Sequence, residues 1–112
     1  LVHMPSHIDV RVGNWAKAVE ANAKAVKADR AYGERSPHQN FYRIYMAHNH
    51  HMLAFAAMMR GQRQQATEAI DAMVREMPAD WVKENALMAD GFQAMPLEVL
   101  VRFGRWDAIL NA

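Results

Sequence analysis

Two pairs of histidines in this chain have the spacing at which two imidazoles share one face of a helix. His3 and His7 are four residues apart, and His48 and His51 are three apart, with His50 between them. Residues at these separations are neighbours on an α-helix, and imidazole nitrogens are common ligands of first-row metals. The spacing therefore makes a metal site one hypothesis, with Zn²⁺ or Ni²⁺ as the best-suited ions.

The competing hypothesis is that these histidines line a peptide groove or hydrogen-bond between helices, with no metal. Motifs that strongly indicate a metal, such as His-Glu-x-x-His, are absent from the chain. Pro5 also bears on the first pair, because a helix that opens at Pro5 would leave His3 outside it and alter the four-residue spacing.

Other catalytic chemistry has little support. The two serines, Ser6 and Ser36, fit the start of a helix better than the role of a nucleophile, and cysteine is absent. No glycine-rich phosphate loop or basic-aromatic strand face occurs. A net charge of +1 creates no field that would recruit nucleic acid or an anionic membrane, and no apolar run is long enough to span one. We expect a cytoplasmic protein that is not an enzyme and binds neither nucleic acid nor membranes.

The elements that would position these residues are indicated by a twelve-residue phrase that the chain contains twice. Residues 4–15 read MPSHIDVRVGNW, and residues 95–106 read MPLEVLVRFGRW. Met, Pro, Val, Arg, Gly and Trp occupy the same positions in both phrases, and residues 57–63, AMMRGQR, form a degenerate third copy. Self-similarity at a spacing of tens of residues is typical of stacked supersecondary units.

The composition favours helices, because Ala, Met, Leu, Glu, Gln and Arg dominate and threonine occurs once, at Thr67. Pro5 suits a first helical turn, and each repeated glycine permits the left-handed backbone that ends a helix. Asn22 interrupts the apolar face of the second helix, where a buried amide would need hydrogen-bond partners. The predicted helices cover residues 5–12, 15–31, 37–60, a segment that contains 66–74 and ends at 77, 81–89, 96–103, and 106 onward.

Particular residues mark several of these predicted boundaries. Asn14 is predicted to cap the second helix. Residues 36–39, Ser-Pro-His-Gln, have the pattern of a capping box and predict the start of the long central helix. Asp80 is predicted to cap the helix that follows, and Asp90-Gly91 predicts a helix break.

These features resemble the tetratricopeptide repeat, in which two packed helices are joined by a turn that contains glycine. The matching positions are Gly13, Trp15, Ala18 and Ala25 in the first repeat, Gly61, Ala66, Met73 and Pro78 in the second, and Gly104 and Trp106 in the third. The departures are Asn22, Arg30, Arg63, Ile70 and Ile109. The turn glycines are 48 and 43 residues apart, against about 34 in the family. The local sequence is similar to that of a bacterial subgroup of these repeat proteins.

The resemblance implies an all-α fold of stacked antiparallel helix pairs, an α-solenoid with repeats at approximately 1–31, 37–78 and 81–112. We expect these repeats to form a single domain, residues 1–112, which is a piece of a longer protein. In this family the first helix of each repeat lines a concave groove.

The resemblance also implies a site and a function. The groove positions in this chain are His7, Arg11, His48, His51, Phe55, Glu98 and Arg102, with His3 beside them. The implied function is a non-enzymatic module that binds a protein or peptide segment in the groove. The alternative is a histidine-rich metal-binding domain, with or without metal-dependent catalysis. Its ligands would be His3, His7, His48, His51 and Glu98, holding Zn or Ni.

Three further features each have two interpretations. Arg11 and Arg102 lie at the same offset before a turn glycine, where they could bind a peptide carboxylate or pair with the adjoining helix. Trp15 and Trp106 are predicted to pack between helices rather than to stack on a ligand. The central helix is rich in methionine and aromatic residues, so self-association through it is an alternative to burial in the core.

Overall fold

The computed structural model describes all 112 residues and contains eight helices and no strand, which confirms the all-α class. The helices are α1 Ser6–Arg11, α2 Trp15–Arg35, α3 Tyr42–Met59, α4 Arg63–Glu76, α5 Ala79–Glu84, α6 Ala86–Ala94, α7 Pro96–Arg102 and α8 Trp106–Leu110. Neighbouring helices pack together: α2 lies against α1 and α3, and α4 lies against α3 and α7. None of the helices combines the length and hydropathy needed to cross a bilayer.

The three repeated glycines build the same turn. Gly13, Gly61 and Gly104 have φ angles of 73°, 70° and 62°, in the left-handed region that glycine adopts without strain. The N–H of the residue after each glycine donates to a carbonyl five residues back, at 2.7 to 2.9 Å, and the glycine N–H donates three residues back. This pair of hydrogen bonds is a Schellman motif. The prediction that these glycines end helices is confirmed.

Small residues allow the central helices to approach closely. Ala18 and Ala66, each five residues after a turn glycine, are fully buried, as are Ala54, Ala56 and Ala57 of α3. Ile70 and Met73 of α4 complete the centre of a single core that joins α2, α3 and α4. Alanine at facing positions brings helix backbones together, so larger residues there would separate the helices.

Asn22 of α2 is buried against α1, and the nitrogen of its amide has two hydrogen-bond partners. The Nδ2 atom donates to Ser6 Oγ of α1 and to the Ala18 carbonyl, both at 2.9 Å. Ser6 is itself fully buried. The Asn22 Oδ1 atom has no hydrogen-bond partner. The polar pair therefore ties the short helix α1 to the face of α2.

The central helix starts later than predicted. Residues 36–41 are not helical, and α3 begins at Tyr42, so the capping-box prediction is wrong. Gln39 instead turns back and donates from Nε2 to the Ser36 carbonyl at 2.8 Å, and Asn40 has a positive φ of 43°. The side chain of Gln39 thus closes a local loop that competes with the helix start.

Other predicted boundaries also differ. Helix α2 continues to Arg35, and α6 passes through Asp90 and Gly91, where a break was expected. The break lies at Asn85, whose Nδ2 atom donates to the Trp81 carbonyl at 2.9 Å and closes α5. Asn14 occupies the N-cap position of α2, but its side chain makes no capping hydrogen bond. Asp80 lies inside the first turn of α5 and does not precede it.

Most of the apolar surface of the central helix is covered by its two neighbours. Eight residues of α3 are buried, among them Leu53, Ala54 and Met58. The large apolar side chains of α3 that stay exposed are Tyr42 and Tyr45 at its start and Met59 at its end. Core packing therefore accounts for most of the apolar residues in this helix.

Candidate functional site

Three histidines from two helical segments meet in one cluster. The ring centroids of His3 and His7 are 5.1 Å apart, those of His3 and His48 are 5.0 Å apart, and those of His7 and His48 are 5.5 Å apart. His3 Nε2 lies 3.2 Å from His7 Nε2. One nitrogen from each of the three rings can be chosen so that all lie within 4.8 Å of one another. We call this group the imidazole cluster.

The local fold explains how the imidazole cluster forms. His3 lies in the turns that precede α1, and its carbonyl accepts the N–H of Ser6 at 2.8 Å. His7 follows on the first turn of α1. Thus the helix does open after Pro5, yet the His3 and His7 rings still meet. His48 comes from α3, and α1 is held beside the central helices by the hydrogen bond between Asn22 and Ser6.

The cluster favours uncharged imidazoles. Burial lowers the pKa of His3, and the adjacent His7 lowers it further. Burial also lowers the pKa of His48, with smaller contributions from His3, His7 and His51. Since an ordinary histidine has a pKa near 6.5, a lowered pKa favours the neutral form of these two rings at pH 7. Neutral rings have a free nitrogen lone pair, which can accept a hydrogen bond or bind a metal.

A buried polar network lies behind the cluster. Asn49 of α3 donates from Nδ2 to Asp29 Oδ2 of α2 at 2.7 Å, and Tyr42 donates its hydroxyl to Asp29 Oδ1 at 3.1 Å. The direction of the Asn49 amide is fixed by this carboxylate, so its oxygen points away from Asp29. That oxygen is buried and has no hydrogen-bond donor. Burial lowers the pKa of His3, and the nearby Asn49 side chain partly opposes this shift.

His51 and Glu98, also predicted as site residues, form a separate pair. His51 Nε2 lies 3.0 Å from Glu98 Oε2, which links α3 to α7. Neither residue belongs to the group of three that could share one ion. The structure therefore divides the five predicted metal ligands into the imidazole cluster and this second pair.

The remaining predicted groove residues have different surroundings. Phe55 is partly buried and contacts the edge of Trp15, with ring centroids 6.1 Å apart, which confirms the packing role of Trp15. The indole of Trp106 lies near Gly104, but Trp106 is 58% exposed, so the prediction that it packs between helices is not confirmed. Arg102 donates from Nε to the Met58 carbonyl at 3.4 Å. Arg11 is exposed, and its charge is not part of any ion pair.

A cavity of about 320 Å³ between α2, α3, α4 and the loop at 36–41 was not indicated by the sequence analysis. At its wall Glu76 accepts hydrogen bonds from Arg30 at 2.7 Å and lies 3.1 Å from His50 Nε2. His50 Nδ1 and Gln39 Oε1 are buried without partners. The adjacent histidines at 50 and 51 point to different neighbours, which the spacing of histidines alone could not show.

Comparison with models of known protein families, with curated proteins and with solved structures gives no match for this chain.

Proposed function

We propose that the protein is a non-enzymatic interaction module, built as a tetratricopeptide-like array, that binds a protein or peptide segment along its first helices. Three helix pairs support this proposal: α1 with α2, α3 with α4, and α7 with α8. Each pair is joined by the same glycine turn, with matching φ angles and hydrogen bonds. In this scheme α5 and α6 are an insert between the second and third repeats.

The observation that carries the proposal is the contact between residues of successive first helices. His7 of α1 stacks on His48 of α3, and His51 of α3 pairs with Glu98 of α7. His48, His51 and Phe55 are three and four residues apart and share one face of α3. In this proposal these contacts join α1, α3 and α7 into one surface, which we call the first-helix face.

The chemistry of the first-helix face suits an extended acidic segment. The guanidinium of Arg11 is exposed and unpaired. Arg102 uses only one of its donors, in the long hydrogen bond to the Met58 carbonyl. Arginine binds carboxylates with two parallel hydrogen bonds, which a segment with Asp, Glu or a free C-terminus can supply. The partly buried Phe55 adds apolar contact area to this face.

A peptide array, followed by calorimetric titration of the best hits, tests this proposal. The double variant His51→Ala, Arg102→Ala should weaken binding at least tenfold, because both side chains lie on the first-helix face. The matched control is His38→Ala, Arg75→Ala, which removes the same residue types from exposed positions elsewhere. Circular dichroism should show unchanged helix content in both variants.

The proposal fails if the first-helix variant binds the hits as tightly as the wild type, or if the control variant loses binding to the same extent. In the first case the groove assignment is wrong. In the second the binding is a non-specific response to positive charge.

A further inference from the structure

We propose that His3, His7 and His48 form a binding site for one divalent late first-row transition metal ion, of the Zn²⁺ or Ni²⁺ type. The site uses three imidazoles and leaves at least one coordination position open. His51 and Glu98 are not ligands of this site, because they form a pair with each other. This metal site shares His7 and His48 with the first-helix face, but it does not rest on the proposed peptide-binding function.

The distances between the ring nitrogens support the site. Zinc binds imidazole nitrogen at about 2.0–2.1 Å, so two ligands of a tetrahedral ion are about 3.3–3.4 Å apart. The Nε2 atoms of His3 and His7 are already 3.2 Å apart. The widest separation in the cluster is within 4.8 Å, so it needs to shrink by no more than about 1.4 Å to reach the tetrahedral value. Rotation of an imidazole about its side-chain bonds covers that distance.

A metal ion would also change the contact between the Nε2 atoms of His3 and His7. Two Nε2 atoms at 3.2 Å can hydrogen-bond only if one ring carries its proton on Nε2 and the other does not. A metal ion between them needs the lone pairs of both atoms. The ring that held the proton on Nε2 must then carry it on Nδ1, so the cluster gains the ion without losing a proton.

Asn49 is placed to stabilise this change of tautomer in His3. Its oxygen is buried, lacks a donor and is turned away from Asp29 by the hydrogen bond of the amide nitrogen. A proton on His3 Nδ1 would satisfy that oxygen and leave His3 Nε2 free for the metal. Ligating histidines in metal sites almost always donate their second nitrogen to such a partner. Asp29, Asn49 and His3 line one pocket, and the proton on His3 Nδ1 would complete the chain Asp29–Asn49–His3.

Titration of the purified chain with ZnSO₄ and NiSO₄, followed by calorimetry and thermal melting, tests the site. We expect one ion per chain and a rise in melting temperature. His7→Ala and His48→Ala should each weaken binding at least tenfold. Asn49→Ala should weaken it about 10- to 100-fold while leaving one ion per chain, as for other outer-shell partners.

Two histidine variants outside the cluster serve as matched controls. His38→Ala removes an exposed imidazole, and His51→Ala removes the one that pairs with Glu98. Both should bind the metal as the wild type does. Melting curves without metal show whether each variant is folded, and His48→Gln replaces His48→Ala if the latter is not.

The absence of heat and of a thermal shift below millimolar metal would refute the site. Equal loss of affinity in His51→Ala and His48→Ala would refute the assignment of the ligands. Substitution with Co²⁺ provides a separate check, because the intensity of its visible absorption reports a tetrahedral site. Since the peptide assay relies on His51 and Arg102, either proposal can fail while the other holds.

Discussion

Replacing the buried Asn22 by alanine should destabilise the protein by about 2–3 kcal/mol. The variant leaves the fully buried Ser6 hydroxyl without the 2.9 Å hydrogen bond that it now receives. A buried polar group without a partner costs about 1–3 kcal/mol. The space left by the amide adds a smaller cost. Ser6→Ala should cost only about 1 kcal/mol, because the Asn22 amide keeps its contact with the Ala18 carbonyl.

The double variant Ser6→Ala, Asn22→Ala separates this mechanism from simple loss of packing. With the serine hydroxyl removed, the Asn22 substitution no longer leaves a buried polar group unpaired. The double variant should therefore be more stable than the sum of the two single effects predicts, by about 1 kcal/mol.

Urea unfolding followed by circular dichroism measures all four proteins, with the slope of the transition as a check that each unfolds in the same way. Single effects that add within about 0.3–0.5 kcal/mol would show that the two side chains do not interact. That result would contradict the view that this hydrogen bond ties α1 to α2, and with it the account of how the imidazole cluster is positioned.

Three further predictions concern the turns, the surface and the pH dependence. Gly61→Ala should cost about 1–2 kcal/mol in urea unfolding, since its positive φ disfavours any side chain although nothing lies within 4 Å of the added carbon. Gly91→Ala, inside α6 with equally open space, should instead stabilise by about 0.5–1 kcal/mol. If the protein self-associates through the exposed aromatic start of α3, light scattering should show a mass that falls in Tyr45→Asp; an unchanged dimer mass would exclude that surface. Burial lowers the pKa of His50 despite the opposing effect of Glu76, so the unfolded chain binds a proton first as the pH falls. Stability should be constant above about 6.5 and decline below it, with a shallower decline in His50→Gln; a stability that rises on acidification would contradict the assignment.

The turns were predictable because one residue determines each of them. Gly13, Gly61 and Gly104 each follow a largely apolar segment, have an aromatic or arginine residue two positions later and adopt the left-handed conformation. The sequence pattern of each turn is local, and the hydrogen bonds that close the turn are local as well. The composition likewise predicted the all-α class, since few residues in the chain favour strands.

The predicted helix boundaries were wrong where the local sequence was compatible with two different structures. The segment at 36–39 has the residues of a capping box, but Gln39 donates to the Ser36 carbonyl and delays the helix. Asp90-Gly91 has the residues of a turn, yet α6 is continuous there and Asn85 ends the preceding helix instead. A pattern of residue types does not show which of two such local hydrogen bonds forms.

The types of residue in the candidate site could be predicted from the sequence, but their arrangement in space could not. Spacing correctly brought His3 and His7 together, but it could not show that His48 would join them while His51 faced Glu98. That division depends on how α1 and α7 lie on either side of α3. The role proposed for Asn49 could not be predicted for the same reason, since its partner Asp29 is 20 residues away in the sequence.

The glycine turns also have a consequence for the order of folding. Each turn is closed by hydrogen bonds that span at most five residues. A helical hairpin of this kind can form early, because closing a short segment costs little chain entropy. The meeting of His7 with His48 spans a much longer stretch of chain and must wait until whole hairpins dock. Any function of these imidazoles therefore appears only at the final stage of assembly, and its loss would be an early sign that the hairpins have begun to separate.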